Sequence, residues 1–385
     1  MQTSLDELAA ADLLRRPWRL ESPCGPRVRI GGREFVCLCS NDYLGLANDP
    51  AVKAAAVAGI ERWGVGAGAS RLVSGTMAPH AELERRLAEF KGAEAAIVTP
   101  TGWMANHVAV HALAGGGDVI FCDKLNHASI IDAARSSGAR LRTYPHRDVE
   151  RLGKMLEKHR RDGRRCLIVT DSLFSMDGDI APLRELAELK DRFDAQLLID
   201  EAHATGVMGD GGRGVAEMLG VESRLDAVVG TLSKAIGALG GFVAGPRALI
   251  ETIVNTGRAF IYTTALPPVM CAAAMAALDI IQRQPQRRQK LLRMASELRG
   301  RLRAAGLRTG DSESQIMPVV IGDAGGAVRV SLGLMEAGFF VPAIRPPTVP
   351  HGSSRLRVSL SAAHEPPDLD RFVEAVLSGM HTAKE

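Results

Sequence analysis

Lys234 lies in VVGTLSKAIGALGG (228–241), directly after a β-branched apolar run and inside a cluster of small residues. Lysine is among the residues least often fully buried. Withdrawing its ammonium from water favours the neutral amine, and a neutral amine is a nucleophile toward carbonyls. Taken alone, the stretch reads more simply as a strand end whose lysine reaches solvent. The other chemistry-bearing residues change that reading. Asp200 closes the run LLID, and His203 follows three residues later. Lys234 closes DAVVGTLSK, with Thr231 three residues before it. Gly102 and Trp103 open a helical pattern just after AAIVTP, and His127 follows DVIFCD. All of them fall at or beyond the carboxyl ends of strand patterns, where open α/β sheets bind ligands.

One cofactor uses this whole set, pyridoxal 5′-phosphate. Its aldehyde takes the amine of Lys234. Its ring nitrogen stays protonated beside a carboxylate, here Asp200. His203 supplies a donor to the phenolate oxygen. The phosphate takes backbone N–H groups at a helix N-terminus, those of Gly102 and Trp103, and the Thr231 hydroxyl adds to them. His127 stacks on the pyridine face. Lys234, Asp200 and His127 are the expected catalytic residues.

Look-alike motifs fail on context. GVGAGA (64–69) follows a helical pattern, whereas a dinucleotide fingerprint follows a strand. LLIDEAH (197–203) resembles a helicase magnesium box, yet the chain has no GxxxxGK[ST] loop to accompany it. His107 and His111 are four apart without a third ligand, so no metal is expected. Net charge is +3 with no basic block, which argues against a nucleic-acid partner. No apolar run reaches membrane-spanning length; VMCAAAMAALDII is broken by Asp279. The N-terminus carries Asp6, Glu7 and Asp12 with no basic leader, so neither a secretory signal nor a transit peptide is expected. Six cysteines without a CxxC pair read as reduced thiols, hence a cytoplasmic protein.

Strand and helix patterns must alternate to place these residues, and from about residue 50 to 285 they do. Strand runs apolar on both faces predict an α/β fold with a large, mostly parallel, doubly covered sheet. The expected division is an N-terminal segment (1–45), a large cofactor-binding domain (46–285) and a smaller C-terminal α/β domain (286–385).

Over nearly its whole length the sequence resembles the α-oxoamine synthases, a group within the aspartate-aminotransferase-like, fold type I pyridoxal-phosphate enzymes. The resemblance is carried by SNDYLGLA (40–47), GVGAGASRLVSGT (64–76), DKLNHASIIDAA (123–134), DSLFSMDGDIAPL (171–183), IDEAHATGVMGDGGRG (199–214), TLSKAIGALGGFVAG (231–245) and IYTTALPP (261–268). It implies decarboxylative condensation of an amino acid with an acyl thioester, catalysed by a homodimer. AIRPPTVPHGSSRLRVSLSAAHE (343–365) resembles the biotin-pathway branch, which joins L-alanine to a pimeloyl group carried on coenzyme A or a carrier protein. The alternative is a glycine-using branch of the same group. The resemblance also implies that Ser175 lies near the cofactor and that His127 meets both cofactor and substrate. Arg15, Asn41, Thr348 and Arg357 would line the substrate pocket. Thr263 and Thr264 would touch the neighbouring subunit's phosphate. In SSRLRVSL a strand alternation puts Arg355 and Arg357 on one face. Arg357 is expected to grip the amino-acid carboxylate bidentately, with Arg355 a solvated bystander.

Overall fold

The computed structural model describes residues 2–160 and 164–382. They form two compact units, Asp49–Phe174 with Ile180–Pro285, and Met1–Asn48 with Ser175–Asp179 and Gln286–Glu385. The N-terminal segment belongs to the second, smaller unit. There β1 (Arg27–Ile30) and β2 (Arg33–Cys37) form a hairpin. Its turn residues Gly31 and Gly32 both have positive φ, 55° and 76°, the backbone that two-residue hairpin turns require.

The larger unit holds β3 (Ala95–Thr99), β4 (Val119–Asp123), β5 (Arg140–Tyr144), β6 (Cys166–Asp171), β7 (Gln196–Asp200), β8 (Ala227–Thr231) and β9 (Gly241–Gly245). They make a seven-stranded sheet in the order β3-β9-β8-β7-β6-β4-β5. Strands β8, β7, β6, β4 and β5 run parallel, as the alternation predicts. Both β4 (VIFCD) and β6 (CLIVTD) are buried along their whole length, as strands covered on both faces must be. Helix Gly102–Leu113 packs against helix Ala128–Ser136 and against β8 and β9. Val108, Ala109, Ile120, Leu198 and Val229 share the resulting core.

One detail departs from the sequence reading. Strand β8 ends at Thr231, so Lys234 lies in the bend beyond it instead of closing it. Strand β9 runs antiparallel to both β8 and β3. The connection 232–240 is too short for the crossover of a dozen or more residues that a parallel return needs. Gly241 opens β9 directly under the start of a helix. A Cβ there would lie 2.5 Å from Thr101 O and 2.6 Å from the Gly102 backbone. Only glycine lets the start of helix Gly102–Leu113 lie this close to the sheet.

In the smaller unit β10 (Ile316–Gly322), β11 (Phe339–Phe340), β12 (Ala343–Ile344) and β13 (Ser354–Ser359) complete the strands. β11 joins β2 in parallel, which ties the C-terminal chain to the N-terminal hairpin. β13 is the middle strand of the sheet β10-β13-β12 and is buried throughout. Among the described residues no helix is long and apolar enough to cross a membrane.

Candidate active site

The carboxyl ends of β6, β7 and β8 stand side by side, with Asp171 opposite Asp200 and Asp200 opposite Val229. The chain turns after each strand, and each turn delivers one group. Beyond β8, Lys234 Nζ sits 2.8 Å from His203 Nε2, which reaches it from the turn beyond β7. Beyond β3, Thr101 caps helix Gly102–Leu113 through Met104 N at 3.2 Å. That leaves the N–H groups of Gly102 and Trp103 as open donors of the first turn. A Cβ on Gly102 would meet Thr231 Cβ and Oγ1 at 3.4 Å, so the end of β8 borders the same helix start. The Thr231 hydroxyl itself donates to Gly240 O at 2.8 Å.

Asp200 is 5% exposed. Its Oδ2 accepts from Asn106 Nδ2 at 2.6 Å and its Oδ1 from Ala202 N at 2.8 Å. Asn106 Nδ2 also lies 2.9 Å from Ser129 Oγ, which is 2.7 Å from His127 Nδ1. The His127 backbone N–H donates to Asp171 Oδ2 at 2.7 Å. Trp103 meets the His127 ring edge-on, centroids 6.1 Å apart. The outer face of His127 is exposed while Nδ1 turns inward. Burial lowers its pKa, Asp200 opposes that shift and Lys234 adds to it.

Lys234, His203, Asp200, His127, Gly102, Trp103 and Thr231 thus all fall within the larger unit, on neighbouring strand ends. Thr264 forms an isolated bridge with Ser70, and Thr263 lies beside it; no described contact joins either to Asp200.

The smaller unit gathers the expected substrate residues. Arg357 is 7% exposed. Its guanidinium donates to Ser175 O, to Asn41 Oδ1 at 3.1 Å, to Ser359 Oγ at 2.8 Å and to Tyr43 OH at 3.3 Å. Every one of these acceptors is neutral. Arg15 donates to Arg345 O at 3.1 Å and to Pro346 O at 2.5 Å, while Thr348 N donates to the same Arg345 O at 3.1 Å. Arg15 and Thr348 therefore converge on one loop.

Arg355 corrects an expectation. It is 6% exposed and paired with Asp177 Oδ1 at 2.5 Å, so it is no solvated bystander. The physical reason is that β13 is a central strand, with neighbours on both edges.

Sequence reasoning missed Asn106, Ser129, Asp171 and Tyr43. Asn106 carried a readable signal, a non-histidine polar residue in the apolar helix WMANHVAV. Tyr43 lies two residues from Asn41 and donates to it at 3.0 Å, and burial pushes its phenol up. His107 and His111 stack with centroids 4.1 Å apart and share Ser136 Oγ at 3.2 and 3.0 Å. Among the described residues no cluster could hold a metal ion.

The donor set of the larger unit fits pyridoxal 5′-phosphate. It supplies an amine, a buried carboxylate, an imidazole beside the amine and an open helix N-terminus with a hydroxyl next to it.

The chain belongs to the aminotransferase class I and II family, whose model matches residues 33–376. Within that family it is similar to proteins named 8-amino-7-oxononanoate synthase. The one from Anaeromyxobacter dehalogenans is 52% identical over 373 residues, 96% of this chain and 93% of that protein. The one from Geobacter sulfurreducens is 49% identical over 374 residues, 97% of this chain and 95% of that protein. Among solved structures, serine palmitoyltransferase from Sphingomonas wittichii superposes with a TM-score of 0.94 at 34% identity, covering 100% of this chain and 97% of that one. 8-Amino-7-oxononanoate synthase from Francisella tularensis gives 0.78 at 28% identity, covering 91% and 99%.

Asp171 supplies a test that needs no ligand. Its acid is pushed well above the usual carboxylate range, first by burial and then by Asp200. The folded chain therefore holds a proton that the unfolded chain releases. Stability from this group is full below about pH 3.9 and is lost as pH rises toward the folded-state pKa. Asp171→Asn keeps an acceptor for the His127 N–H and cannot ionise. In urea denaturation of the ligand-free protein, its midpoint relative to the parent should rise between about pH 5 and pH 7.5. The same offset at both pH values would mean that Asp171 is ionised in the fold.

Proposed function

We propose that this chain condenses L-alanine with a pimeloyl thioester on pyridoxal 5′-phosphate, releasing carbon dioxide, the free thiol and 8-amino-7-oxononanoate. The observation that carries this reading is the 52% identity over 96% of the chain to a relative of that name. The site chemistry supports it. When bound, the cofactor supplies an electron sink conjugated to the amino acid's α-carbon. Lys234 would anchor it and, as a neutral amine, would take the α-proton as general base. His203, in contact with that amine, orients it and donates to the phenolate oxygen. Asp200 holds the proton on the ring nitrogen, and its burial keeps water from competing for it. The Gly102 and Trp103 N–H groups and Thr231 would bind the phosphate, and His127 would cover the ring.

Arg357 receives the α-carboxylate of alanine, with Asn41 held beside it. A guanidinium buried among neutral oxygens is ready for an anionic partner. Arg15 and Thr348 belong to the acyl side, whose thiol is coenzyme A or a carrier protein. The free thiols fit a cytoplasmic enzyme.

The working form is a homodimer in which Thr263 and Thr264 reach the phosphate of the second copy. Leu72, Val73 and Tyr262 support this, being 53%, 80% and 71% exposed. The bridge between Ser70 and Thr264 brings their two segments together. Exposed apolar side chains gathered in this way mark an interaction surface. Sedimentation should report twice the chain mass, and a fully active monomer would remove the shared site.

Carbon dioxide release on alanine, glycine and serine, each crossed with acetyl, pimeloyl and palmitoyl thioesters, tests the substrates. The alanine–pimeloyl pair should exceed every other by at least ~10-fold, since one or two methylenes in a pocket are worth this much. Faster turnover of glycine with acetyl, or of serine with palmitoyl, would reassign the branch. Lys234→Ala should lose turnover and the borohydride-fixed cofactor absorbance together.

Arg357→Ala tests the clamp. Removing one partner of a buried charge pair costs roughly 2–5 kcal/mol, so alanine KM should rise at least ~30-fold while cofactor absorbance stays normal. Arg355→Ala should instead lower the unfolding midpoint, because it strands Asp177, and should leave alanine KM near the parent value. Equal alanine KM in the two variants would place the carboxylate elsewhere.

A further inference from the structure

The hydrogen bonds behind His127 form a continuous chain, and the backbone N–H of Ser129 sets the direction in which its protons run. Asn106 Nδ2 has two protons and two close partners, Asp200 Oδ2 at 2.6 Å and Ser129 Oγ at 2.9 Å. A carboxylate only accepts, so one proton goes to Asp200 and the other to Ser129. Exchanging the amide oxygen and nitrogen of Asn106 would set an oxygen against that carboxylate, which fixes the orientation. Ser129 Oγ, now an acceptor, has one proton of its own to give. His127 Nδ1 lies 2.7 Å away to take it. The Ser129 backbone N–H points at the same nitrogen from 3.2 Å. Nδ1 is therefore faced by two donors and must present its lone pair. The neutral ring then carries its proton on Nε2.

We propose that Asn106 and Ser129 are positioning residues that lock His127 as the neutral Nε2–H tautomer, and that they draw this order from the acceptor oxygen of Asp200. The proposal rests on the proposed function, in which His127 faces cofactor and substrate. It deepens that function by giving the imidazole one task. With Nδ1 committed inward, the ring offers a single N–H donor to reacting partners and no basic nitrogen. Its ligand is a carbonyl or carboxylate oxygen of the substrate. Protonating Nδ1 would set its new N–H against the fixed Ser129 backbone N–H and force the Ser129 hydroxyl to turn away, so the relay also resists the imidazolium. The charged and titratable groups around this ring are Asp200 from β7, Asp171 from β6 and Lys234 from beyond β8. Asp171 meets the His127 backbone and leaves the tautomer to Ser129.

The relay has an energetic logic that does not depend on the reaction. Asn106 is 1% exposed and Ser129 is 1% exposed. A polar side chain buried that far needs its partners. Flipping Asn106 would set its oxygen against the Asp200 carboxylate, and turning the Ser129 hydroxyl away from Nδ1 would still leave the Ser129 backbone N–H facing that nitrogen. Asn106 Oδ1 is already buried without a partner, so the amide's stabilisation comes from its Nδ2 side.

The test is nuclear magnetic resonance of the protein labelled with 15N-histidine, with and without bound cofactor, from about pH 6 to 8. His127 is assigned by the signal lost in His127→Gln. The parent should show Nδ1 as the unprotonated nitrogen and Nε2 as the protonated one in both forms. Ser129→Ala and Asn106→Leu should each give a tautomer mixture or a ring that protonates at higher pH. Each should lower kcat about tenfold, the scale of one hydrogen bond at the reacting site, with cofactor absorbance kept. A purely structural role would leave the tautomer of the folded variants unmoved. His127 protonated on Nδ1 in the parent, or ring signals in both variants equal to the parent's, would overturn the proposal. A locked tautomer in a protein that turns over none of the thioesters would uphold the relay and count against the proposed function instead.

Discussion

A carboxylate kept out of water at the end of a central strand is the constraint on which the rest of the larger unit depends. A carboxyl group buried as Asp200 is needs hydrogen-bond donors. The fold supplies them from the helix that opens after β3 and from the backbone just beyond β7. Holding Asn106 on Asp200 fixes the azimuth of helix Gly102–Leu113, and with it the direction of its N-terminus. Beneath the same strand end, Glu201 is 1% exposed and accepts from Lys91 Nζ at 2.8 Å and from Ala216 N at 2.9 Å. The turn after β7 is thus pinned from both sides, and His203 leaves it in a defined direction toward Lys234. One buried charge therefore sets the helix start and the imidazole, and the imidazole meets the amine.

The smaller unit solves the opposite electrostatic problem. Arg355 and Arg357 sit two residues apart on the same buried strand, yet they are satisfied differently. Arg355 has an acid, Asp177, from the segment Ser175–Asp179. Among the described residues Arg357 donates to carbonyl, amide and hydroxyl oxygens. A guanidinium solvated by neutral dipoles keeps its full charge for an incoming anion, whereas one already paired does not. The segment Ser175–Asp179 serves both arginines, through Ser175 O to one and the Asp177 carboxylate to the other.

The relatives divide fold from substrate. A serine palmitoyltransferase superposes with a TM-score of 0.94 although it is only 34% identical. The higher sequence identities, near half the chain, are to proteins named 8-amino-7-oxononanoate synthase. A common scaffold hosts different substrates because substrate choice sits in a few side chains lining the site.

Local sequence determined the strands and the residue types at their ends. Runs such as VIFCD and LLID are apolar up to a closing aspartate, so they had to be strands covered on both faces, and the polar residues at and just beyond their ends fall where open α/β sheets bind ligands. The placement of Lys234, Asp200, His203, His127, Gly102 and Thr231 at neighbouring strand ends was legible for that reason. Tertiary structure decided what the chain could not encode locally. Strand β5, RLRTY, alternates with charges because it is an edge, and β9 turned antiparallel because its connection is short. RLRVS has the same alternation as an exposed edge, but β10 and β12 flank it, so both arginines are buried and their partners decide their roles. Asn106, Ser129 and Asp171 became visible only when three separate segments met. A hydrogen bond between residues 94 apart in sequence, Asn106 to Asp200, leaves no periodicity to read. It exists because packing a helix on a sheet leaves one buried acid that must find a donor.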